Sequence, residues 1–190
     1  MKIYLLDKNE AMVRAWQSEF GGREDVEIVN AYLHRFLTTH DVECVVSPAN
    51  AYGLMDGGYD LALTDFFGPK LPKAVQQKIL KEWKGEQVVG TSLWVDIPDN
   101  NMKLIHTPTM RVPSIIKDPM VVYHCMRSTL LLAMKKKVKS ILIPAFGGAC
   151  GGLRPRVIAR LMKEAYEQVN NPPEELDWSY AERESLEEIE

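Results

Sequence analysis

Apolar residues fall in six short runs along the chain, each about as long as a β-strand. The runs are rich in Val, Ile and Leu, and most do not alternate with polar residues, which is typical of strands covered on both faces. We therefore predict six strands, at Ile3–Leu6, Val26–Val29, Val42–Ser47, Gln87–Val95, Lys103–His106 and Ser140–Pro144.

Between these runs, apolar residues recur every three or four positions, which predicts amphipathic helices. Val122, Met126 and Leu130, for example, belong to one apolar stripe of the kind that packs on a core. The predicted helices run from about Glu10 to Phe20, Leu71 to Lys84, Pro119 to Lys137 and Pro155 to Val169.

The alternation of strands and helices predicts an α/β fold, a three-layer α/β/α sandwich whose mixed, mostly parallel sheet has about six strands. The composition changes at Asn170, where Pro172-Pro173 ends the last helix and Glu174–Glu190 holds eight acidic residues against one basic. We expect one domain over residues 1–170 and an acidic C-terminal tail over residues 171–190, either exposed or forming a short peripheral helix.

Composition narrows the range of functions. With 190 residues, 46% of them hydrophobic, and a net charge of −3, the chain suits one domain with a sizeable core. No long basic stretch favours nucleic acid, and no apolar run approaches the roughly 20 residues that span a bilayer. Three cysteines without CxxC spacing indicate reduced thiols and a cytoplasmic location. The scattered histidines predict no metal site, and we expect no cofactor.

Two glycine-rich segments each follow a predicted strand and precede a helix. They are VVSPANAYGLMDGGYD over residues 45–60 and ILIPAFGGACGG over residues 141–152. Such loops present backbone N–H groups and a helix N-terminus to an anion, and two of them facing each other would hold a diphosphate. Neither matches the Rossmann or P-loop pattern. The pair predicts a nucleotide-like ligand.

The first segment offers three kinds of candidate. Asn50 ends a strand, where its amide either holds a polar ligand such as a ribose hydroxyl or bonds its own backbone in a turn. Gly57 and Gly58 permit close approach of a ligand, or form an ordinary turn. Asp60 stands near the start of a helix, where a carboxylate is either a capping group or a catalytic one.

The second segment has four glycines in the six residues from Gly147 to Gly152, which suggests close approach of a ligand to the backbone. It also fits a G-x-C-x-G nucleophile elbow centred on Cys150. Every histidine precedes Cys150, so the chain order of an α/β-hydrolase is excluded. A Cys150–His106 pair formed in space remains an alternative.

Taken in order, these motifs resemble those of the macro domain, an ADP-ribose-binding module. That family has loops of the types N-A-A-N-x-x-L-x-x-G-G-G-V and P-A-I-G/S-T-G-x-x-G, and residues 47–59 and 144–151 are similar to them. L-I-H-T at 104–107 resembles the family's I-I-H-T strand. The variants S-P-A-N, D-G-G and P-T-M-R-V-P, the last at 108–113, resemble a divergent subgroup. The resemblance covers about residues 24–170.

The resemblance implies binding of ADP-ribose or a close derivative, with Asn50 on the distal ribose. It also implies that Asp60, with Asn50, serves hydrolysis of an ADP-ribosyl bond or of a terminal phosphate. A non-catalytic binding module and a Cys150-dependent hydrolase are the alternatives. The implied ligand-binding residues are Asn50, Gly57, Gly58, Tyr59, Phe146, Gly147, Gly148, Ala149, Cys150 and Gly151.

Three positions depart from the family pattern. The stretch Val29–Tyr32 lacks the aspartate that reads adenine in the family, and it has Asn30 instead. Asp56 and Ala149 each replace a glycine. These changes predict weaker ADP-ribose binding or a related ligand.

Overall fold

The computed structural model describes residues 1–181 and contains one six-stranded sheet. The strands are β1 (Lys2–Asp7), β2 (Val26–Asn30), β3 (Cys44–Ser47), β4 (Leu93–Asp96), β5 (Lys103–His106) and β6 (Ser140–Pro144). The helices are α1 (Glu10–Phe20), α2 (Leu33–Thr39), α3 (Gly58–Phe67), α4 (Lys70–Trp83), α5 (Met120–Lys135), α6 (Pro155–Asn170) and α7 (Trp178–Ala181).

The strand order is β2-β1-β6-β3-β5-β4, and only the pairing of β4 with β5 is antiparallel. The central strand β6 pairs with β1 along its whole length, as far as Pro144 opposite Leu6. With β3 it pairs only as far as Leu142 opposite Val45, so the ladder stops two residues before the carboxyl end of each strand.

Two apolar clusters fill the space on the two faces of this sheet. On one face, α1, α5 and α6 pack against the strands around residues such as Trp16 and Met126. On the other face, α2, α3 and α4 contribute residues such as Phe36, Leu63 and Val75. The predicted three-layer α/β/α sandwich with a mixed, mostly parallel sheet is therefore confirmed.

Helix prediction succeeded where the sequence carries a long apolar stripe. Helix α1 has the predicted bounds, and the Oδ1 atom of Asn9 accepts a hydrogen bond from the backbone N–H of Ala11 at 2.9 Å. Helices α4, α5 and α6 lie within two residues of their predicted bounds. Helix α2 was not predicted, because seven residues show too little periodicity.

The predicted strand Gln87–Val95 is wrong over its first part, since β4 begins at Leu93. Gly90 has a φ of +84°, a backbone conformation that does not continue a strand. The backbone N–H of Gln87 donates instead to the carbonyl oxygen of Ala51 at 2.9 Å. The apolar residues there belong to a turn that supports residue 51.

The buried side chain of Gln87 fixes this turn to β5. Its amide N–H groups donate to the carbonyl oxygens of Thr91 at 3.0 Å and His106 at 3.1 Å, and its Oε1 accepts from Nδ1 of His106 at 2.7 Å. His106 is fully buried, which lowers its pKa to about 3 and keeps the ring neutral.

Both edges of the sheet carry charged pairs. On β2, Glu27 lies 3.1 Å from the Nζ atom of Lys2. On β4, Asp96 lies 2.9 Å from the Nζ atom of Lys103. In each case a polar side chain stands on the outermost strand, where backbone groups lack a neighbouring strand.

Part of the predicted acidic tail lies outside the described residues, namely positions 182–190. The part that is described includes α7, where the Tyr180 hydroxyl accepts a hydrogen bond from Nε2 of Gln168 at 2.9 Å. Among residues 1–181, no helix has the length and apolar character needed to cross a bilayer.

We expect Gln87→Ala to lower the free energy of unfolding by about 1–3 kcal/mol, because it leaves buried partners on His106 and Thr91 unsatisfied. Urea unfolding measures the change. Gln77→Ala on the exposed side of α4 is the matched control and should be close to neutral. Equal stability of the two variants would contradict a supporting role for Gln87.

Candidate functional site

Two loops lie at the carboxyl ends of neighbouring parallel strands. Loop 1 (residues 48–57) joins β3 to α3, and loop 2 (residues 145–154) joins β6 to α6. The N-cap residues of these helices, Gly57 and Arg154, make no side-chain capping bond. No side chain therefore occupies the positive end of either helix, which an anion favours. In α6 the attraction comes from the helix dipole more than from hydrogen bonds, because Pro155 has no N–H and the N–H of Val157 donates to the carbonyl oxygen of Arg154 at 3.0 Å.

Asn50 holds loop 1 together. Its Oδ1 accepts from the backbone N–H groups of Tyr52 at 3.1 Å and Leu54 at 3.3 Å, and its Nδ2 donates to the carbonyl oxygen of Leu54 at 3.0 Å. The residue is only 7% exposed. The structure thus shows the turn-forming role of Asn50, and its contact with a ribose stays a prediction.

Gly57 and Gly58 form the exposed end of loop 1. A Cβ atom at either position would meet nothing within 4 Å, and Gly58 has a φ of +55°. Tyr59 differs, because its ring packs against the apolar cluster formed with α2, α3 and α4, and its hydroxyl is buried without a partner. Burial and the nearby carboxylates of Asp60 and Asp7 raise the pKa of Tyr59. Tyr59 therefore presents its backbone, and not its phenol group, to the open side of loop 1.

Asp60 is the third residue of α3, yet its side chain does not cap the helix. The hydroxyl of Ser47, the last residue of β3, donates to Oδ1 of Asp60 at 2.6 Å. Asp60 is 9% exposed, and burial raises its pKa to about 7 while the Ser47 bond acts in the opposite direction. This carboxyl group can therefore gain or lose a proton near neutral pH.

Loop 2 needs glycines for its own folding. Gly147 has a φ of +79°, and its carbonyl oxygen accepts from the N–H of Leu153 at 3.3 Å. A Cβ at Gly151 would lie 2.5 Å from that same carbonyl oxygen and 2.7 Å from Cδ1 of Ile116. Packing within the protein thus explains Gly147 and Gly151 without a ligand. Gly148, Ala149 and Cys150 form the exposed tip.

Phe146 is expected to bind the ligand, and the position of its ring limits how it would do so. That ring is fully buried in the core formed with α1, α5 and α6. Only the backbone of Phe146 can contribute to loop 2 at the ligand side.

The Cys150–His106 pair is not formed. Cys150 is exposed, and its Sγ atom contacts the Sδ atom of Met110 at 3.6 Å. His106 is fully buried with its Nδ1 bonded to Gln87, and its Nε2 has no partner. The structure therefore does not bring His106 to Cys150 as a base, which the alternative of a Cys150–His106 pair requires.

Sequence reasoning missed two contributors to the site. One is the hydroxyl of Ser47. The sequence did carry a signal for it, because a polar residue at the end of a fully buried strand needs a hydrogen-bond partner. The other is Ile116, which contacts loop 2 from the connection between β5 and α5. No local signal marks Ile116, because its partners lie more than thirty residues away in the sequence.

Comparison with known proteins agrees with this geometry. A family model described as Macro domain matches residues 46–162, which is more than half of the chain. The chain belongs to the macro domain family.

Two sequence relatives are uncharacterized proteins. The one from Aquifex aeolicus is 29% identical over 141 residues, covering 74% of this chain and 79% of the relative. The one from Aeropyrum pernix is 32% identical over 127 residues, covering 65% of this chain and 63% of the relative. The match thus spans less than two thirds of the second relative.

Among solved structures, the macrodomain of Mycobacterium tuberculosis DarG has a TM-score of 0.60 at 20% identity, covering 70% of this chain and 87% of that one. A variant of the Oceanobacillus iheyensis macrodomain with ADPR has a TM-score of 0.61 at 25% identity, covering 70% and 73%. The same macrodomain with ADP has a TM-score of 0.51 at 26% identity, covering 65% and 70%.

We expect Asp60→Asn to change the pH dependence of stability. Asp60 has an ordinary pKa of 3.8 but a pKa of about 7 in the folded protein. Its protonated form therefore stabilises the fold fully below about pH 4, and this contribution is lost as the pH rises through 7. The variant should gain stability relative to the parent above pH 7.

Urea unfolding of parent and variant at several pH values measures this difference. The comparison with the variant is needed because buried His106 has the opposite effect on the parent. Its lowered pKa makes the protein lose stability as the pH falls below the ordinary histidine pKa of 6.5, and this loss is common to both proteins. A parent-to-variant difference that stays constant from pH 4 to 8 would show that Asp60 ionises normally.

Proposed function

We propose that this protein binds ADP-ribose, or a close ADP-ribosyl derivative, across loops 1 and 2. The observation that carries the proposal is the pair of uncapped helix N-termini that follow the neighbouring strands β3 and β6. Two such termini suit the two phosphates of a diphosphate. The Oceanobacillus macrodomain structures with ADPR and ADP support the same ligand class.

Charge makes the two sides of the proposed site unequal. Exposed Asp56 adds negative charge to loop 1 beside the first turn of α3. On the other side, the exposed Arg154 adds positive charge where loop 2 meets α6. We therefore place the diphosphate closer to the N-terminus of α6 than to that of α3.

We further propose that Asp60 serves hydrolysis of an ADP-ribosyl bond. In this step the oxygen of a water molecule bonds to the anomeric carbon, the bond to the leaving group breaks with its electron pair passing to that group, and ionised Asp60 accepts one proton of the water. A carboxyl group with a pKa of about 7 suits that role at neutral pH. Asp60 is also the acidic residue in the first turn of α3.

A binding module without catalysis is the second candidate. The observation that favours it is the state of the Asp60 carboxyl group, which is 9% exposed and already bonded to Ser47. A ligand bound between the loops would then contact little of this carboxyl group. Asp60 would instead have a structural role, linking the start of α3 to the end of β3.

Calorimetric titration tests binding. We expect saturable binding of ADP-ribose, with weaker binding of ADP, AMP and ribose-5-phosphate. Asn50→Ala should weaken ADP-ribose binding by at least about tenfold, since loop 1 loses the side chain that closes it. Asn101→Ala at an exposed position is the matched control. No heat from any of these compounds with folded protein would refute the proposed ligand.

Turnover of an ADP-ribosylated substrate separates the two candidates. For an enzyme, the rate should rise with pH through about 7, and Asp60→Asn should bind normally but turn over little. Ser47→Ala should move the rise to higher pH, because the hydroxyl stabilises the ionised carboxylate. Tight binding with no turnover by the parent at any pH would favour the binding module.

A further inference from the structure

A segment between β5 and α5 contacts both loops. We name residues 110–116 the strap; it carries part of the P-T-M-R-V-P motif and has no part in the function proposed above. It contacts loop 1 at Met110 and Arg111, and it contacts loop 2 at Ile116 and also at Met110, whose Sδ atom lies 3.6 Å from Sγ of Cys150.

The strap joins loop 1 through the backbone. The N–H of Ala51 donates to the carbonyl oxygens of Met110 at 3.0 Å and Arg111 at 3.2 Å, and Met110 forms a β-bridge with Asn50. Since Asn50 closes loop 1, the same residue that shapes this loop is also bound to the strap.

Side chains reinforce that end of the strap. The Arg111 guanidinium donates to both carboxylate oxygens of Glu86, at 2.7 and 3.2 Å, and it lies 5.2 Å from the ring centre of Tyr52 in loop 1. The hydroxyl of Tyr52 donates to the same carboxylate at 2.9 Å. Bidentate pairing of this kind fixes orientation as well as distance.

The strap joins loop 2 through Ile116. Its backbone N–H donates to the carbonyl oxygen of Gly151 at 3.0 Å. Its Cδ1 atom lies 2.8 Å from where a Cβ would stand at Gly147 and 2.7 Å from where one would stand at Gly151. The side chain of Ile116 therefore occupies the space that two positions of the turn leave open, and the two surfaces interlock.

We infer that the strap couples loop 1 to loop 2, with Ile116 as the positioning residue that sets the shape of loop 2. Seven residues connect the two loops, with backbone hydrogen bonds at both ends. A displacement at the Glu86 end must therefore be taken up in the strap or passed to loop 2. Any effect on ADP-ribose affinity rests on the proposed function, but the coupling itself does not.

Cys150 provides a probe of loop 2 that needs no ligand. Cys44 and Cys125 are buried, whereas Cys150 is exposed at the tip of loop 2. The rate at which a thiol reagent labels the native protein therefore reports on this loop, and Cys150→Ser gives the background rate. The reagent used is Ellman's reagent, followed by absorbance.

The first variant is Ile116→Val, which removes only the Cδ1 atom that contacts Gly147 and Gly151. We expect labelling of Cys150 to become about 2- to 30-fold faster, as for other changes within a coupling network. Val112→Ala, an exposed strap position, should leave the rate unchanged. An unchanged rate in Ile116→Val would overturn the role of Ile116.

The second variant, Glu86→Ala, tests the coupling because Glu86 lies outside the strap and outside both loops. It removes the carboxylate that holds Arg111 and Tyr52, and it should also speed labelling of Cys150. The double variant should show less than the product of the two single effects, because both changes loosen the same strap. A faster rate in Ile116→Val together with no change in Glu86→Ala would overturn the coupling.

Titration of ADP-ribose completes the test. Ile116→Val should weaken binding by about 2- to 30-fold while thermal unfolding shows that the variant is still folded. If the parent protein does not bind ADP-ribose, the proposed function fails, while the labelling rates still decide whether the strap couples the loops. If the parent binds and Ile116→Val binds equally well, the strap does not shape the ligand side of loop 2.

Discussion

The short ladder between β3 and β6 is the constraint on which the site depends. Because pairing stops at Val45 and Leu142, the last two residues of β3 are not paired with the last two residues of β6. Loop 1 then leads to α3 on one face of the sheet, and loop 2 leads to α6 on the other. Crevices of this kind, at the carboxyl ends of strands whose connections run to opposite faces, are where open α/β sheets bind ligands. The splayed strand ends thus create both loops and the space between them.

Beneath loop 1, polar side chains replace the apolar core. Ser47, Asp60, Gln87 and His106 are all buried on or near the face covered by α3 and α4. Most of their polar atoms are paired, so their burial is tolerated, and the pairs fix the strand ends to α3 and to the turn before β4. Burial raises the pKa of Asp60 to about 7, so ionisation of this carboxyl group lowers the stability of the fold at higher pH.

The sequence contained most of the fold but less of the site. Apolar runs located the strands and the helical spacing of apolar residues located α1, since these signals are local. The error at Gln87–Val95 arose because an apolar run looks the same in a turn that packs inward. Both loops were found from their glycines, yet part of the reason for Gly151 lies in Ile116, a distant residue whose Cδ1 atom leaves no room for a Cβ there. Likewise, the position of Asp60 near a helix start is typical of a cap, whereas its partner in the structure is Ser47 at the end of β3.

The charged pairs on the outer strands have a consequence for how these molecules meet each other. An unpaired strand edge is a template for a strand from a second molecule, and such growth leads to aggregation. On β2 and β4, an incoming strand would have to displace water from the Lys2–Glu27 or Lys103–Asp96 pair while aligning with the backbone. The four-residue length of β4 also leaves few hydrogen bonds to gain. At high concentration, the sheet is therefore protected at both margins against edge-to-edge polymerisation.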